Sequence, residues 1–498
     1  MREYGTVISQ FDSPSTQKFS FVINKDVVVR RGQFVQLAGD DGTMIGRVAD
    51  IRKANRYYMR PESVNQVEQT ASLADTYPTW EWEFMVADVI PIGIITPTGM
   101  TDANIPPSPG SRVFEPESTI LEQFFGFEPT GLHLGQLAHH AVPVRLNLTK
   151  LLHKHLAILA MSGAGKSHLM AIIIEELLKR TPDQGQIGMV VIDPHGEYVA
   201  FADDPAYANT VRVIPINDVQ ISLKNLREAN FHMFIPDLTS AQSRVLAEAL
   251  TTLRGKNDAF TLGELINDIE AKEITLAVKN PLLAELMKLA RLRLFGSHTY
   301  PHPTELAKQG MVTVIDLSSE NSLKKKRLVT AYLAEKLFQF RCNGAIPPFV
   351  LVVEEAHQFV PEKAPTAQTA SRTVLEKIAR EGRKFHAALC LISQRPVKLS
   401  TTILSQCNTH VILRITNPYD LKNIEESSEG IDRDVARQIS SLNVGSGLLV
   451  GEAVSYPLFL KIRGRTSNVT KGGVSLEQAS RNFAQEQRQK KADARAML

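Results

Sequence analysis

Apolar residues in this chain keep one spacing for about the first fifth of its length and then change to another. Up to residue 95 they gather in short β-rich runs, Gly5–Ile8, Phe19–Ile23, Gly32–Leu37, Gly46–Ile51 and Phe84–Val89, with Gly, Asp and Asn between them. Short strands joined by turns predict a small all-β barrel or sandwich over residues 1–95, suited to oligomerisation or partner docking. The Pro- and Gly-rich stretch 96–112 predicts a linker. Beyond it, the runs 156–160, 188–193, 311–316, 349–353, 387–393 and 409–415 are rich in Val, Ile and Leu and do not alternate. That is the pattern of strands buried on both faces of a parallel α/β sheet. Residues 113–222 and 309–475 therefore read as one α/β core. It is interrupted at 223–308 by segments of helical spacing, Ala241–Leu253, Leu262–Glu270 and Pro281–Leu294. Thr239 or Ser240 and Thr261 are the expected N-caps of this helical insertion. Residues 476–498 form a polar, basic tail.

A length of 498 residues with 43% hydrophobic and 22% charged positions fits a soluble chain of two or three domains. No apolar run reaches the length of a membrane span: Val86–Met100 is cut by Asp88, Pro91 and Pro97. The first residues lack an apolar signal core, so a cytoplasmic location and no membrane partner are expected. Cys342, Cys390 and Cys407 have no metal-ligand spacing and read as buried thiols. A net charge of +3 neither supports nor excludes nucleic acid.

The chemistry concentrates in His155–Met170, HLAILAMSGAGKSHLM. An apolar strand runs into Ser162-Gly163-Ala164-Gly165, then Lys166-Ser167 and, after His168, an apolar helix. Small residues let the backbone wrap a phosphate, and the helix N-terminus adds partial positive charge. Lys166 is placed for the β- and γ-phosphates of ATP and Ser167 for Mg²⁺. Ala160 stands where the usual phosphate-loop pattern has glycine, which a negative φ at that residue tolerates.

Binding alone is not hydrolysis, which needs carboxylates at a strand end beside the loop. Phe349–Val353 followed by Glu354 and Glu355 supplies them. Successive residues at a strand end point to different sides, so Glu354 is assigned to Mg²⁺ and Glu355 to the attacking water as general base. A helix N-terminus with acids in its first turn is the competing reading. In Val190–Tyr198, Asp193 and Glu197 either join the metal and water shell or, for Asp193, merely open an Asp-Pro turn. Gln394 closes another apolar strand and is placed to touch the γ-phosphate or the water. The block Ile378–Phe385 carries Arg380, Arg383 and Lys384 around a glycine. It is either a solvated face or a source of an arginine acting in trans, an arrangement that can give about 10³–10⁵ in rate.

Together, the N-terminal barrel with GTV, GQFVQL and GTMIGRVADI, the blocks VPVRLNLTKLLHKHLAILAMSGAGKS, VVIDPHGEY, LVVEEAHQFVP and IAREGRKFHAALCLISQRP, and the closing IRGRTSNVTKGG resemble the HerA-type DNA translocases. These belong to the wider class of P-loop ATPases that includes FtsK-like pumps and conjugative coupling ATPases. The resemblance implies a RecA-like core, a homo-hexameric ring, ATP hydrolysed between subunits, double-stranded DNA drawn through the pore, and a NurA-type nuclease as partner in end resection. It also carries roles onto Lys166, Ser167, Asp193, Glu354, Glu355 and Gln394. Arg380 is the first choice for the neighbour's finger and Arg383 the second. Arg145 is implied as a nucleotide contact between subunits, and Arg463, Arg465 and Lys471 as further nucleotide contacts. Lys471 stands where the family often has His. For DNA phosphates, the basic runs are Lys324–Arg327 and the pair Arg254 and Lys256. The expected activity is an ATP-driven duplex translocase or helicase. Its rivals are a nucleotide-gated scaffold for a nuclease and another P-loop motor working on DNA or protein.

Overall fold

The computed structural model describes residues 1–469 except 10–12, 40, 70–71, 98, 257–258, 364–369, 428–430 and 432, and beyond 469 residues 477, 480–483 and 485. The chain divides into two compact units, one of 1–151, 409–414 and 428–463, the other of 152–408, 415–427 and 464–498.

The first unit opens with β1 (Glu3–Ile8), β2 (Phe19–Ile23), β3 (Phe34–Gly39), β4 (Gly42–Asn55), β5 (Glu83–Thr96), β6 (Gly99–Thr101) and β7 (Arg112–Phe114). Their order is β2-β1-β7-β3-β4-β5-β6, and a β2–β5 pairing closes six of them into a barrel around Phe19, Phe21, Val35, Leu37, Val89 and Val113. Full closure removes the sheet edges on which chains aggregate. The stretch expected as a linker is corrected here. It contributes β6, and β7, which straddles its end, pairs with both β1 and β3. Turn residues in 96–112 mark corners of the barrel rather than an exit from it. Next come β8 (Leu132–Leu137) and β9 (Pro143–Leu146), which the apolar pattern did not reveal.

In the second unit lie β10 (Leu156–Leu159), β11 (Gly188–Asp193), β12 (Val211–Pro215), β13 (Ile221–Ser222), β14 (Phe295–Gly296), β15 (Val312–Asp316), β16 (Phe349–Val353) and β17 (Ala387–Ser393). Six form a sheet in the order β12-β15-β11-β16-β17-β10, with every adjacent pair parallel. All residues of β10, β11, β16 and β17 are buried, as non-alternating Val, Ile and Leu require. Register aligns Leu159 with Ser393, Leu391 with Val353 and Val353 with Ile192, so the loops after β10, β11, β16 and β17 emerge at one edge. Ligands of parallel α/β sheets bind outside that carboxyl edge.

Helices Ser240–Lys256, Leu262–Ala271 and Leu276–Arg291 fill the intervening stretch. Thr261 caps the second: its Oγ1 accepts from Glu264 N–H at 3.2 Å, and Glu264 Oε2 accepts from Thr261 N–H at 2.7 Å.

Finally β18 (Thr409–Ile412), β19 (Ser446–Gly451) and β20 (Leu458–Ile462) return to the first unit, where β18-β19-β20-β8-β9 pair antiparallel. The run 409–415, expected as another parallel core strand, is therefore corrected: its strand pairs antiparallel with β19, and all four of its residues are buried. Cys390 and Cys407 are buried, whereas Cys342, expected buried, is exposed near the end of the Leu323–Cys342 helix.

Candidate nucleotide-binding site

Buried β10 delivers the chain to the loop. Ala160 is fully buried at a negative φ, which is why an alanine serves there. Gly163 (φ 75°) and Gly165 (φ 106°) take left-handed conformations that side chains disfavour, and a Cβ on Gly163 would meet nothing within 4 Å. Gly165 is the N-cap of the helix Lys166–Leu178, whose Leu169–Ile174 stretch is wholly buried. The first backbone N–H groups of that helix therefore face the loop with no intrahelical partner. Ser162, Gly163, Gly165, Lys166, Ser167 and His168 line a cavity of about 410 Å³, and His195, Glu197, Glu355 and Gln394 line the rest. Ala164 is buried behind the loop and does not line it.

The two acids after β16 part company. Glu355 lines the cavity and adopts φ 47°, an uncommon conformation for a non-glycine residue and one concentrated at functional sites. Burial raises its pKa, opposed by Lys166 and His195 and by the Gln394 backbone N–H. Its Oε2 is buried without a hydrogen bond, although His357 Nδ1 lies 3.2 Å away. Burial, with Arg395 and Lys398, depresses that imidazole to about 4, so it is neutral near pH 7 and forms no ion pair. Glu354, assigned to the metal from sequence, is corrected: it does not line the cavity. It accepts a hydrogen bond from the hydroxyl of fully buried Tyr198, and burial pushes its pKa to about 8.

Asp193 does not line the cavity either. Its Oδ1 accepts from the N–H groups of His195 and Gly196 at 3.2 and 2.9 Å, and its Oδ2 from Tyr198 N–H at 2.9 Å. Burial raises its pKa, and those N–H bonds pull it back. It is the anchor of a turn that presents His195 and Glu197 to the cavity. The Asp-Pro turn reading fits, and Glu197 is the acid of this block that faces the ligand space. Tyr198 was not singled out in the sequence; an aromatic residue there looks like core until its hydroxyl is seen on Glu354.

Gln394 follows β17 and lines the cavity. Arg380 and Arg383 lie before the same strand, both exposed. Seven residues of strand span roughly 20 Å, beyond an arginine side chain, so neither reaches the cavity of its own chain. Arg465 stacks over Phe201 at 5.3 Å and bonds the backbone of Ser467 and Asn468, away from this cavity. Arg145 lies on β9, and Arg463 Nε bonds His133 O at 3.0 Å. Lys471 lies outside the described residues.

The basic runs offered for DNA are largely engaged. Lys325 pairs with Glu320 at 3.1 Å, Lys326 bonds Pro194 O and Arg327 bonds Gln358 O. Arg254 bonds Lys224 O and Leu226 O, and Lys256 lies 4.0 Å from Asp268. These cations serve the fold.

Among the described residues no group of three or more His, Cys, Asp or Glu forms a metal cage. Mg²⁺ does not need one, since it is commonly held by one or two carboxylates, waters and substrate phosphates. Glu355, Glu197 and Ser167 line the cavity as a hard-oxygen set beside a phosphate cradle, and they fit a Mg²⁺-nucleotide.

Residues 132–337 match the family model described as the central domain of helicase HerA. The chain is 28% identical to the DNA double-strand break repair helicase HerA of Pyrococcus furiosus over 530 aligned positions, covering 93% of this chain and 94% of that one. It is 29% identical to the protein of the same name from Saccharolobus solfataricus, over 72% and 73% of the two chains. Among solved structures, VirB4 of Thermoanaerobacter pseudethanolicus superposes with a TM-score of 0.51 at 19% identity, covering 68% of this chain and 98% of that one. That likeness shows the fold alone.

Proposed function

We propose that this HerA-type chain hydrolyses ATP to move along double-stranded DNA, as the helicase of double-strand break resection. It acts as a homo-hexamer in the cytoplasm with a NurA-type nuclease. The observation that carries the hydrolytic part is the Glu355 carboxylate lining one polar cavity with the phosphate loop. Loop N–H groups and Lys166 hold the phosphates, and Ser167 with Glu197 would hold Mg²⁺. When bound, the metal neutralises phosphate charge. Glu355 takes the proton of the water that attacks the γ-phosphorus, and ADP leaves. Its upward-shifted pKa makes it a better base than a solvated glutamate. Gln394 orients that water, and Arg380 of the neighbouring copy meets the charge that develops, because Arg380 and Arg383 lie at the opposite end of β17 from the cavity of their own chain. The names of its relatives support double-strand break repair as the setting.

The test is the ATPase rate of purified protein with and without linear duplex DNA, and with and without a candidate nuclease. Stimulation by duplex supports the reading; a rate indifferent to duplex rejects it.

A further inference from the structure

Two histidines just before β10 take no part in the cavity, yet both reach the arginine block. His155 is buried at φ 65°, a conformation a side chain adopts only when its surroundings hold it there. Its Nε2–H donates to the carbonyl of Ala379 at 2.9 Å, and its Nδ1 accepts from Leu389 N–H at 3.0 Å. Both bonds are satisfied by a single neutral tautomer, and burial depresses the pKa to about 4, which keeps the ring in that form. His153 Nε2 contacts the carbonyl of Arg383 at 3.1 Å, and its ring stacks on His386 at 5.2 Å. The two rings therefore grip the backbone on either side of Arg380.

The rest of the block is equally fixed. A Cβ on Gly382 would lie 2.3 Å from Ala387 O, so only glycine lets the turn close on β17. Arg341 Nε donates to Phe385 O at 2.6 Å. The Arg380 side chain is exposed, as are Arg383 and Lys384, and it is carried on a backbone that cannot shift without disturbing the start of β10 or of β17. Those strands end at the phosphate loop and at Gln394.

We propose that His153 and His155 are positioning residues for Arg380: they hold the arginine a chain lends to its neighbour in register with the strands that carry its own phosphate loop and Gln394. The proposal rests on the reading that Arg380 acts in trans. Each copy then senses its own nucleotide at one edge of the sheet and offers its arginine at the other. A purely structural role would harm the chain that carries the substitution; a positioning role harms the neighbour.

The test is co-expression of differently tagged full-length chains. His155→Asn keeps a residue that tolerates positive φ but shortens the reach. His153→Phe keeps the stack on His386 and removes the donor. Each alone is expected to lower kcat at least tenfold with the KM for ATP within about twofold. Mixed with excess Lys166→Ala chains, which hydrolyse nothing but carry an intact arginine block, each is expected to regain several-fold of the lost turnover. Mixed with Arg380→Ala chains, neither regains any. If Arg380→Ala is rescued by Lys166→Ala chains but neither histidine variant is, the histidines act in cis and the proposal fails. If Arg380→Ala is not rescued either, the trans reading itself fails and takes the proposal with it.

Discussion

Glu354→Gln separates the two acids after β16 by stability rather than by activity. Glutamine keeps the length of the side chain and an oxygen to accept from the Tyr198 hydroxyl, and removes the ionisable group. Glu354 is held at about 8 where a solvated glutamate sits near 4.5. Between those values the folded chain binds a proton that the unfolded chain has released, so folding stability falls as pH rises through the window. At about 1.4 kcal/mol per pH unit, the penalty at pH 7 is on the order of 3 kcal/mol, and it shrinks toward nothing near pH 4.5. The variant is free of it. Thermal unfolding of nucleotide-free protein followed by far-UV circular dichroism, at pH 5, 6.5 and 8, should show the variant gaining on the wild type at each step. A gap that stays constant with pH, or a variant less stable than wild type at pH 8, would refute the argument that Glu354 is a buried, protonated partner of Tyr198.

Other outcomes follow from the same geometry. Glu355→Gln should lower kcat by at least about 10² while the chain still retains ATP, measured by filter binding alongside turnover. Arg380→Ala should abolish turnover and be rescued in mixed assemblies by Lys166→Ala chains; rescue of Arg383→Ala in its place would assign the finger to Arg383. His140, His155 and His357 are each depressed to about 4 by burial. They stay neutral in the folded chain while the unfolded chain takes up protons below about 6.5. Stability should therefore fall as pH drops from 6.5 toward 4, read as a falling thermal midpoint, and replacing His140 by Gln should flatten that slope.

The phosphate loop and the strands beside it were legible because both signals are local. A buried parallel strand must be apolar throughout, and a phosphate cradle must be small-residue backbone before a helix. Glu355 and Gln394 were legible for the same reason, each standing one or two places beyond such a strand. What the sequence hid was direction. Glu354 and Glu355 are neighbours, and only a left-handed turn at Glu355 decides which one faces the loop. Asp193 looked like a ligand because its carboxylate stands at a strand end; its role as anchor for three N–H groups depends on the backbone path of the turn that follows. The stretch 96–112 looked like a linker because barrel corners and linkers share Pro and Gly. The run 409–415 looked like another core strand because burial on both faces leaves the same residues in a parallel as in an antiparallel sheet.

The central claim, that ATP hydrolysis drives the protein along duplex DNA, is tested most directly by displacement of a labelled third strand bound in the major groove of a linear duplex. Wild-type protein with ATP should release the third strand, and the Glu355→Gln variant should not. Brisk hydrolysis of ATP by wild-type protein with the third strand left in place would contradict it.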